Sequence, residues 1–310
     1  MVDWKPVASL NTLQTRAEIL AKIRRFFASK NVLEVETPLL SRSTATDVYI
    51  QSLEVVAAKE KFYLQTSPEF AMKRLLGSGV GPIYQICKAF RQGEVSKNHR
   101  PEFTMLEWYQ PGYSMLDLMV EVEQLVDDLL SCGAIPRLSY RALFQEYLGI
   151  DPHAISLEAL ESLALSKMEI SSEKLSRTDY LQLLLGNNIE ALMPSNCFVY
   201  DFPIDQAALA VIENDQYDVP VAKRFELFFG GMELANGYFE LTDEKEQRLR
   251  FETDLQARKK LQLADYPIDE KLLAALKHGV PNCSGVALGI DRLIMLAVGS
   301  ADIRDVISFS

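Results

Sequence analysis

The sequence is poor in the residues that build disulfide and zinc sites, with 4 cysteines and 3 histidines among 310 residues. The cysteines are scattered and none forms a Cys-x-x-Cys pair, which favours free thiols in a reducing compartment. No stretch approaches the roughly 18 apolar residues that a membrane-spanning helix needs. No basic start followed by an apolar run marks a signal peptide. We therefore expect a cytoplasmic protein without a membrane partner.

Positive charge is also scarce. The chain has 32 Lys and Arg against 43 Asp and Glu, which gives a formal net charge of −11. A protein that grips a long nucleic acid usually has a basic face, since neutralising phosphates supplies most of its affinity. The basic residues form no long run, and we interpret short clusters such as Arg24-Arg25 and Lys73-Arg74 as solvated helix surface. The charge balance therefore argues against tRNA as the partner.

Hydrophobic residues make up 48% of the chain, which is typical of a globular protein. Their periodicity predicts helices at 12–29, 67–77, 115–131, 243–262, 269–277 and from 291. It predicts strands at 32–35, 46–66 (with Val48 and Ile50), 82–91, 102–109, 197–202, 225–241 and 283–289. Residues 138–192 read as a small, mostly helical insertion. Because the strands cluster and do not alternate with helices, we predict an α+β fold with an antiparallel sheet flanked by helices.

Three of the predicted strands carry faces that would make a poor apolar core. Period-2 alternation groups small and polar residues on each of them: Gln85, Cys87, Ala89 and Arg91; Phe103, Met105, Glu107 and Tyr109; and Cys283, Gly285, Ala287 and Gly289. Small side chains allow close approach to a backbone. A helix that opens at Asp291-Arg292 would favour an anion at its N-terminus. Spacing alone fits ordinary packing equally well.

Taken together and in this order, the segments resemble the three motifs of class II aminoacyl-tRNA synthetases, and those of lysyl-tRNA synthetase most closely. The first is the helix 12–29 followed by Val32-Leu-Glu-Val-Glu-Thr-Pro38. The second runs from Phe90-Arg91 to Glu107, and the third is Gly285-Val-Ala-Leu-Gly-Ile-Asp-Arg292. The segment Glu233-Leu-Ala-Asn-Gly-Tyr-Phe-Glu240 is similar to the lysine-class signature.

Only about a dozen residues precede the first motif, so we expect one catalytic domain over 1–310 without an anticodon-binding domain. Such a short core resembles the truncated lysyl-tRNA synthetase paralogues that act on elongation factor P. The resemblance implies that (R)-β-lysine, or lysine, is activated with ATP and Mg²⁺ and then passed to a lysine side chain of elongation factor P. It also implies a homodimer, with the first-motif helix and Pro38 at the interface.

The resemblance further implies which residues bind ATP. Arg91 would fork onto the α-phosphate and Arg292 onto the γ-phosphate, where both act as the catalytic electrostatic groups. Phe103 would stack on adenine, although a role in the core is the alternative. Glu233, with Asn236, would supply oxygens for Mg²⁺. The other expected ATP contacts are Gly93, Glu94, His99, Arg100, Leu234 and Gly289.

A substrate with two ammonium groups needs carboxylates to offset the cost of desolvation. The expected amino-acid contacts are Ser67, Pro68, Glu69, Glu107, Tyr109, Asn236, Glu240 and Ala287. Ser67 could instead be a helix N-cap, and Glu69 a first-turn residue that complements the helix dipole. Simple alternation puts Glu233 out of phase with Asn236 and Glu240, and a bulge near Gly237 would repair this.

Two positions depart from the family pattern, both in the loop over ATP. Gly93 stands where the second motif usually has Glu, so Glu94 would substitute from one residue further on. Arg100 replaces the usual Asn of the His-Asn-Pro-Glu-Phe segment.

Three other functions stay open. The chain could charge tRNA like a lysyl-tRNA synthetase, although the expected lack of an anticodon domain argues against this. It could be a small-molecule ligase of the asparagine-synthetase type, although the acidic pocket argues against that. It could also be an inactive regulatory paralogue, against which both motif arginines and Glu233 argue. Fold resemblance alone does not decide among them.

Overall fold

A computed structural model describes residues 4–170 and 175–309. The chain divides into two compact units, Met1–Cys132 together with Leu241–Ser310, and Gly133–Glu240. The one-domain organisation with an insertion at 138–192 stays a prediction. Within the described residues, no helix is both long enough and apolar enough to cross a bilayer.

Helices α1 to α9 span, in chain order, Leu10–Ser29, Glu69–Gly77, Met115–Leu130, Tyr140–Leu148, Leu157–Lys167, Arg177–Leu184, Glu244–Lys260, Glu270–Gly279 and Ile290–Val298. Strands β1 to β12 span Leu33–Glu34, Leu40–Ser41, Glu54–Ala57, Glu60–Leu64, Ile83–Phe90, Glu102–Pro111, Arg137–Ser139, Cys197–Phe202, Ile212–Asn214, Pro220–Phe229, Met232–Phe239 and Cys283–Gly289. A π-helix at Leu185–Ile189 and 3-10 turns at Ile204–Gln206 and Ile303–Val306 complete the elements.

The first unit is built on strands in the order β1-β5-β6-β12, with a small separate sheet in the order β2-β4-β3. Strand β1 is parallel to β5, and the pairs β5–β6 and β6–β12 are antiparallel. The register places Gln85 and Ala287 on either side of Glu107. Directly paired residues lie on one face of a sheet, so the three polar strand faces predicted from alternation form one surface.

Helix α1 packs against this sheet through residues at helical spacing, Ile19, Ile23 and Phe27. The ring of Phe27 stacks on Tyr84 with centroids 4.4 Å apart and meets the edge of Trp108 at 5.4 Å. These three aromatic side chains fill the centre of the core under the polar face. The indole Nε1 of Trp108, on β6, donates to Glu121 of α3 at 3.0 Å and so connects the helix to that strand.

The second unit has strands in the order β11-β10-β8-β7, with β9 paired to β10. Strand β7 is parallel to β8, and the other pairs are antiparallel. Helices α4, α5 and α6 lie in the segment where we predicted helices, and they share one core with β8 and β10. Members of this core from both the helices and the strands are Tyr140, Phe144, Leu181, Val199, Phe202 and Phe228.

The α+β expectation, an antiparallel sheet flanked by helices, is confirmed. The strand expected at Val48 and Ile50 is wrong, because the first strand after β2 begins only at Glu54. The buried guanidinium of Arg258 donates to the carbonyls of Asp47 and Ile50 at 2.8 and 3.4 Å. These carbonyls bond a side chain from α7, so the segment runs as an irregular loop rather than as part of a ladder.

Candidate active site

The carboxylate of Glu107 is the centre of the polar face in the first unit. It lies on β6 and is 2% exposed. Tyr109 Oη donates to Oε1 at 2.7 Å, and Ser67 Oγ donates to Oε2 at 2.7 Å. Both oxygens are therefore held by neutral hydroxyl groups, which fix the geometry of the carboxylate without cancelling its charge.

Burial raises the pKa of Glu107 to about 7, and the negative charge of Glu69 acts in the same direction. The hydrogen bonds from Ser67 and Tyr109 and the positive charge of Lys73 lower the pKa and offset part of this effect. A carboxyl group that takes up a proton so readily is short of positive charge. A ligand ammonium group at this position would supply it.

The start of helix α2 brings Glu69 to the same cluster. Its backbone N–H donates to Ser67 Oγ at 3.1 Å, while Lys73 Nζ donates to Glu69 Oε1 at 2.7 Å. Ser67 is not the N-cap that it could have been, because the helix begins at Glu69 and the cap position is Pro68. The Ser67 oxygen accepts from the backbone of Glu69 while its proton goes to Glu107, so Ser67 links the Glu107 carboxylate to the first residue of α2.

The residues across the sheet from Glu107 complete this face. Gln85 on β5 and Ala287 on β12 are its direct cross-strand partners. Gln85 is buried, and its Oε1 has no hydrogen-bond partner among residues 4–170 and 175–309. A buried acceptor without a partner is costly, and a ligand N–H would satisfy it.

Arg91, directly after β5, forms a second group with Phe103 and Glu94. Its guanidinium lies over the half-buried Phe103 ring at 5.1 Å and pairs with Glu94 at 3.7 Å. Its Nε is buried and has no partner within the described part of the chain. Gly93 has φ of 83°, a backbone conformation that glycine adopts without strain. The acid one residue further on, Glu94, reaches the arginine, and its substitution for the usual Glu of the motif stays a prediction.

Arg292, on α9, contacts the loop that joins β5 to β6. Its Nε donates to the carbonyl of Asn98 at 3.3 Å, and its Nη2 lies 2.5 Å from His99 Nε2. Since a guanidinium only donates, His99 Nε2 accepts here, and Nδ1 then donates to Ser96 Oγ at 2.8 Å. Arg100 bonds the backbone carbonyls of this loop at 3.3 and 3.4 Å.

A buried ion pair sets the position of Arg292. Its neighbour Asp291 accepts from Arg16 Nη1 at 2.6 Å and from the backbone N–H of Thr104 at 2.7 Å. Arg16 also donates to Thr104 Oγ1 at 2.7 Å. Gly289 caps α9 and pairs with Met105 in the sheet. One residue from each of the three motifs thus meets in a single network.

The remaining predicted residues lie in the second unit, on and after β11. The bulge expected near Gly237 is instead at Leu234, because Ala235 pairs with Leu227 while Glu233 pairs with the next residue, Phe228. The extra residue brings Glu233 onto the same face as Asn236. Leu234 itself is buried, as is Glu240.

Glu226 on β10 is a buried carboxylate on this face that sequence reasoning missed. It is the direct cross-strand partner of Asn236, whose Nδ2 donates to its Oε1 at 3.5 Å, and it is ion-paired with Arg224. Burial raises the pKa of Glu226, and Arg224 acts in the opposite direction. Only the register of the β10–β11 hairpin shows that Glu226 faces Asn236.

The side-chain oxygens of Glu233 and Asn236 fit a hard cation that takes most of its ligands from outside the protein. Asn236 Oδ1 is buried and has no hydrogen-bond partner among the residues that the structure describes. Over the same residues, no three His, Cys, Asp or Glu side chains form a metal-ligating group. Mg²⁺ is commonly held by one or two protein oxygens plus substrate phosphates, so Glu233 and Asn236 suit it.

Lys73 and Arg16 are further residues that the motif comparison did not single out. The spacing of Glu69 and Lys73 is the i,i+4 spacing of a helical ion pair, so a signal for their contact was present in the sequence. No local signal marks Arg16, because its partners Asp291 and Thr104 are distant in sequence and meet only in the fold.

Comparison with known proteins supports a single family for the whole chain. The family described as tRNA synthetases class II (D, K and N) matches residues 1–310. The chain is 48% identical to a protein of Proteus mirabilis (strain HI4320), over 100% of this chain and 98% of that protein. It is also 48% identical to proteins of Avibacterium paragallinarum, over 99% and 98%, and of Pseudoalteromonas translucida (strain TAC 125), over 99% and 97%. All three relatives are named elongation factor P–(R)-β-lysine ligase.

The raised pKa of Glu107 predicts a pH dependence of stability that Glu107→Gln removes. The ordinary pKa of the group is 4.5 and the folded value is about 7, so between these values the folded state binds more protons than the unfolded state. The free energy of unfolding contributed by this group therefore falls as pH rises. Between pH 4.5 and 8, the free energy of unfolding should fall in both proteins. We expect the fall to be smaller in the variant than in wild type by on the order of 1–3 kcal/mol.

Urea unfolding of the ligand-free protein at the two pH values measures this difference. The exposed Glu60→Gln variant is the matched control, and it should keep the wild-type pH dependence. Equal pH dependence in wild type and Glu107→Gln would contradict the assignment of the raised pKa to Glu107.

Proposed function

The chain belongs to the class II tRNA synthetase family of the D, K and N type, and from this premise we propose that it is an ATP-dependent ligase that attaches (R)-β-lysine to elongation factor P. In the first step a carboxylate oxygen of β-lysine attacks the α-phosphorus of ATP. The bond from that phosphorus to the pyrophosphate oxygen breaks, and pyrophosphate leaves. In the second step the amine nitrogen of a lysine side chain attacks the acyl carbon, loses a proton and releases AMP.

The observation that carries this proposal is the pair of carboxylates held at the first-unit face. Glu107 is buried and fixed by Tyr109 and Ser67, and Glu69 lies close enough for its charge to raise the Glu107 pKa. Two anionic groups on one surface are costly unless positive charge joins them. A lysine-type substrate carries two ammonium groups, and we propose that Glu69 meets the amino group near the reacting carboxylate. Glu107 and Tyr109 would hold the distal ammonium.

The two motif arginines suit the phosphate chemistry. Negative charge grows on the α-phosphoryl group as the carboxylate attacks, and preorganised cationic donors stabilise it without reorganising. Arg91 is kept in place by the Phe103 ring and by Glu94, and the resemblance assigns it to the α-phosphate. Arg292, held by Asn98 and His99, is assigned to the γ-phosphate. No protein nucleophile is required, since positioning and electrostatics carry the step.

We propose Glu233 and Asn236 as the protein oxygens that hold Mg²⁺. The ion would neutralise phosphate charge when it is bound. Within the protein, Glu226 accepts from the Asn236 side-chain amide at 3.5 Å. This contact leaves the carbonyl oxygen of Asn236 for a ligand, since the amide nitrogen already has its acceptor.

We also propose that the protein is a cytoplasmic homodimer. A cytoplasmic location follows from the proposed acceptor, which is a translation factor. Leu10 of α1 and Leu33, Leu39 and Leu40 beyond its end are exposed, and two-fold pairing would bury such apolar surface. Light scattering at assay concentration should therefore give about twice the mass of one 35.0 kDa chain. A mass near that of a single chain would contradict the dimer.

The reaction is tested by ATP–pyrophosphate exchange with α-lysine and with (R)-β-lysine, followed by transfer assays that offer elongation factor P or tRNA. We expect faster exchange with β-lysine and transfer to elongation factor P. Transfer to tRNA alone would support a tRNA-charging enzyme instead. Exchange with neither amino acid would contradict the proposed ligase and support an inactive regulatory paralogue.

Removing either motif arginine should nearly abolish exchange. Loss of one donor at a site of developing charge costs about 10²–10³ in rate, so Arg91→Ala and Arg292→Ala should fall by that factor. Arg42→Ala is a matched control, because Arg42 is largely exposed and pairs only with Glu60 among the ion pairs seen in the described chain. Wild-type exchange in either motif variant would remove that arginine from the mechanism.

Ser67 and Ala287 are proposed to tilt selection from α-lysine to β-lysine. Lysyl-tRNA synthetases that resemble this chain generally carry Ala and Gly at these positions. Ser67 Oγ bonds both Glu107 and the backbone of Glu69, and Ala287 is the cross-strand partner of Glu107. One methyl and one hydroxyl group therefore distinguish this face from that of the synthetases. A difference of this size is worth about 1–3 kcal/mol, so α-lysine should remain a poor substrate.

The double variant Ser67→Ala/Ala287→Gly tests this proposal through kcat/KM for both amino acids. We expect the ratio of β-lysine to α-lysine to drop about tenfold or more. Each single variant shows which residue contributes. An unchanged ratio in the double variant would place the selectivity elsewhere in the protein.

A further inference from the structure

Lys73 is a buried cation at the edge of the amino-acid face. It lies on α2, its side chain is 1% exposed, and its Nζ donates to Glu69 Oε1 at 2.7 Å. Lysine is almost never fully buried without a partner, because desolvating the ammonium group is expensive. The buried ammonium group is stabilised by the carboxylate of Glu69, and its charge also acts on Glu107.

The contact divides the two oxygens of Glu69 between protein and ligand. Lys73 holds Oε1, whereas Oε2 makes no hydrogen bond within the described residues. The Glu69 side chain is 15% exposed, so a small molecule can reach it. Glu69 is also the first residue of α2, and its backbone N–H is fixed by Ser67. The backbone and the carboxylate of Glu69 are thus both held by the protein, and Oε2 is left for a ligand.

The position of Lys73 also matters for the charge of the face. Glu69 and Glu107 repel each other, since the charge of Glu69 raises the pKa of Glu107 while that of Lys73 lowers it. Without the ammonium group, Glu69 would be free to rotate away from Glu107 toward solvent. A carboxylate that has swung outward cannot meet a ligand ammonium at a fixed place.

We propose that Lys73 is a positioning residue for the amino-acid substrate: its ammonium group holds Glu69 so that Oε2 meets the amino group next to the reacting carboxylate. This role rests on the proposed ligase function and deepens it. Lys73 acts through Glu69 and not through Arg91 or Arg292, the residues proposed to bind the phosphates. Its removal should therefore weaken binding of the amino acid and leave binding of ATP as it was.

The test measures exchange kinetics for Lys73→Met, which removes the charge and the donor, and for Lys73→Gln, which keeps a neutral donor on a side chain one bond shorter. We expect the KM for β-lysine to rise about tenfold or more in Lys73→Met, because a hydrogen bond to a charged group is lost. The rise should be smaller in Lys73→Gln. The KM for ATP should stay within about twofold. Lys61→Met, at an exposed ion pair with Glu54, is the matched control.

A double-mutant cycle with Glu69→Gln separates positioning from a general structural role. If Lys73 acts through Glu69, Lys73→Met should change the KM for β-lysine little further once Glu69 is already Gln. The double variant removes both charges together, so it should fold even if Lys73→Met alone does not. Thermal unfolding of every variant reports folding. Additive effects, equal rises in both KM values, or an unchanged KM in Lys73→Met would overturn the role.

The wild-type arm distinguishes this inference from the function on which it rests. Exchange by wild type together with a normal KM in Lys73→Met contradicts only the role of Lys73. A wild type that exchanges with no lysine-type substrate contradicts the ligase itself, and the role of Lys73 falls with it.

Discussion

The carboxylate of Asp291 is the point on which the first unit depends. It is 2% exposed and accepts from Arg16 on α1 and from the backbone of Thr104 on β6. Removing one partner of a buried ion pair leaves an uncompensated charge, which costs far more than the pair contributes. Helix α1, strand β6 and helix α9 are therefore held in one arrangement. Because Asp291 precedes Arg292 and Thr104 follows Phe103, this pair also fixes two of the proposed ATP contacts.

Much of the fold follows from local sequence patterns, because its strands alternate and its helices are amphipathic. Strands β5, β6 and β12 lie where alternation predicted them, and the shared polar face follows from their register. The loop at Val48 could not be predicted, since it depends on Arg258, more than two hundred residues away. The bulge at Leu234 needs the opposite strand, because sequence shows a phase error but not where the extra residue lies.

In the candidate site, too, some features follow from local sequence patterns and others depend on contacts between distant residues. The grouping of Glu107 with Tyr109 is a matter of alternation, and the spacing of Glu69 and Lys73 is that of a helix turn. What local pattern cannot show is burial, so Lys73-Arg74 reads as a solvated doublet until Lys73 is found inside. The choice of partner is also nonlocal. A serine before a helix ordinarily accepts from a backbone N–H, as Ser67 does from Glu69, but only the arrival of Glu107 from β6 shows where the Ser67 proton goes.

The two carboxylates of the amino-acid face are held in opposite ways, and the difference has a chemical consequence. Glu107 is fixed by two neutral hydroxyl groups, so its full charge, or the proton that replaces it, is left for a ligand. Glu69 is fixed by a cation, so part of its charge is already offset. An ammonium group that meets Glu107 supplies its main counter-charge, whereas one that meets Glu69 shares it with Lys73. Glu107 should therefore contribute more to the affinity for the amino acid. Glu69, at the start of α2, should act chiefly by orienting it.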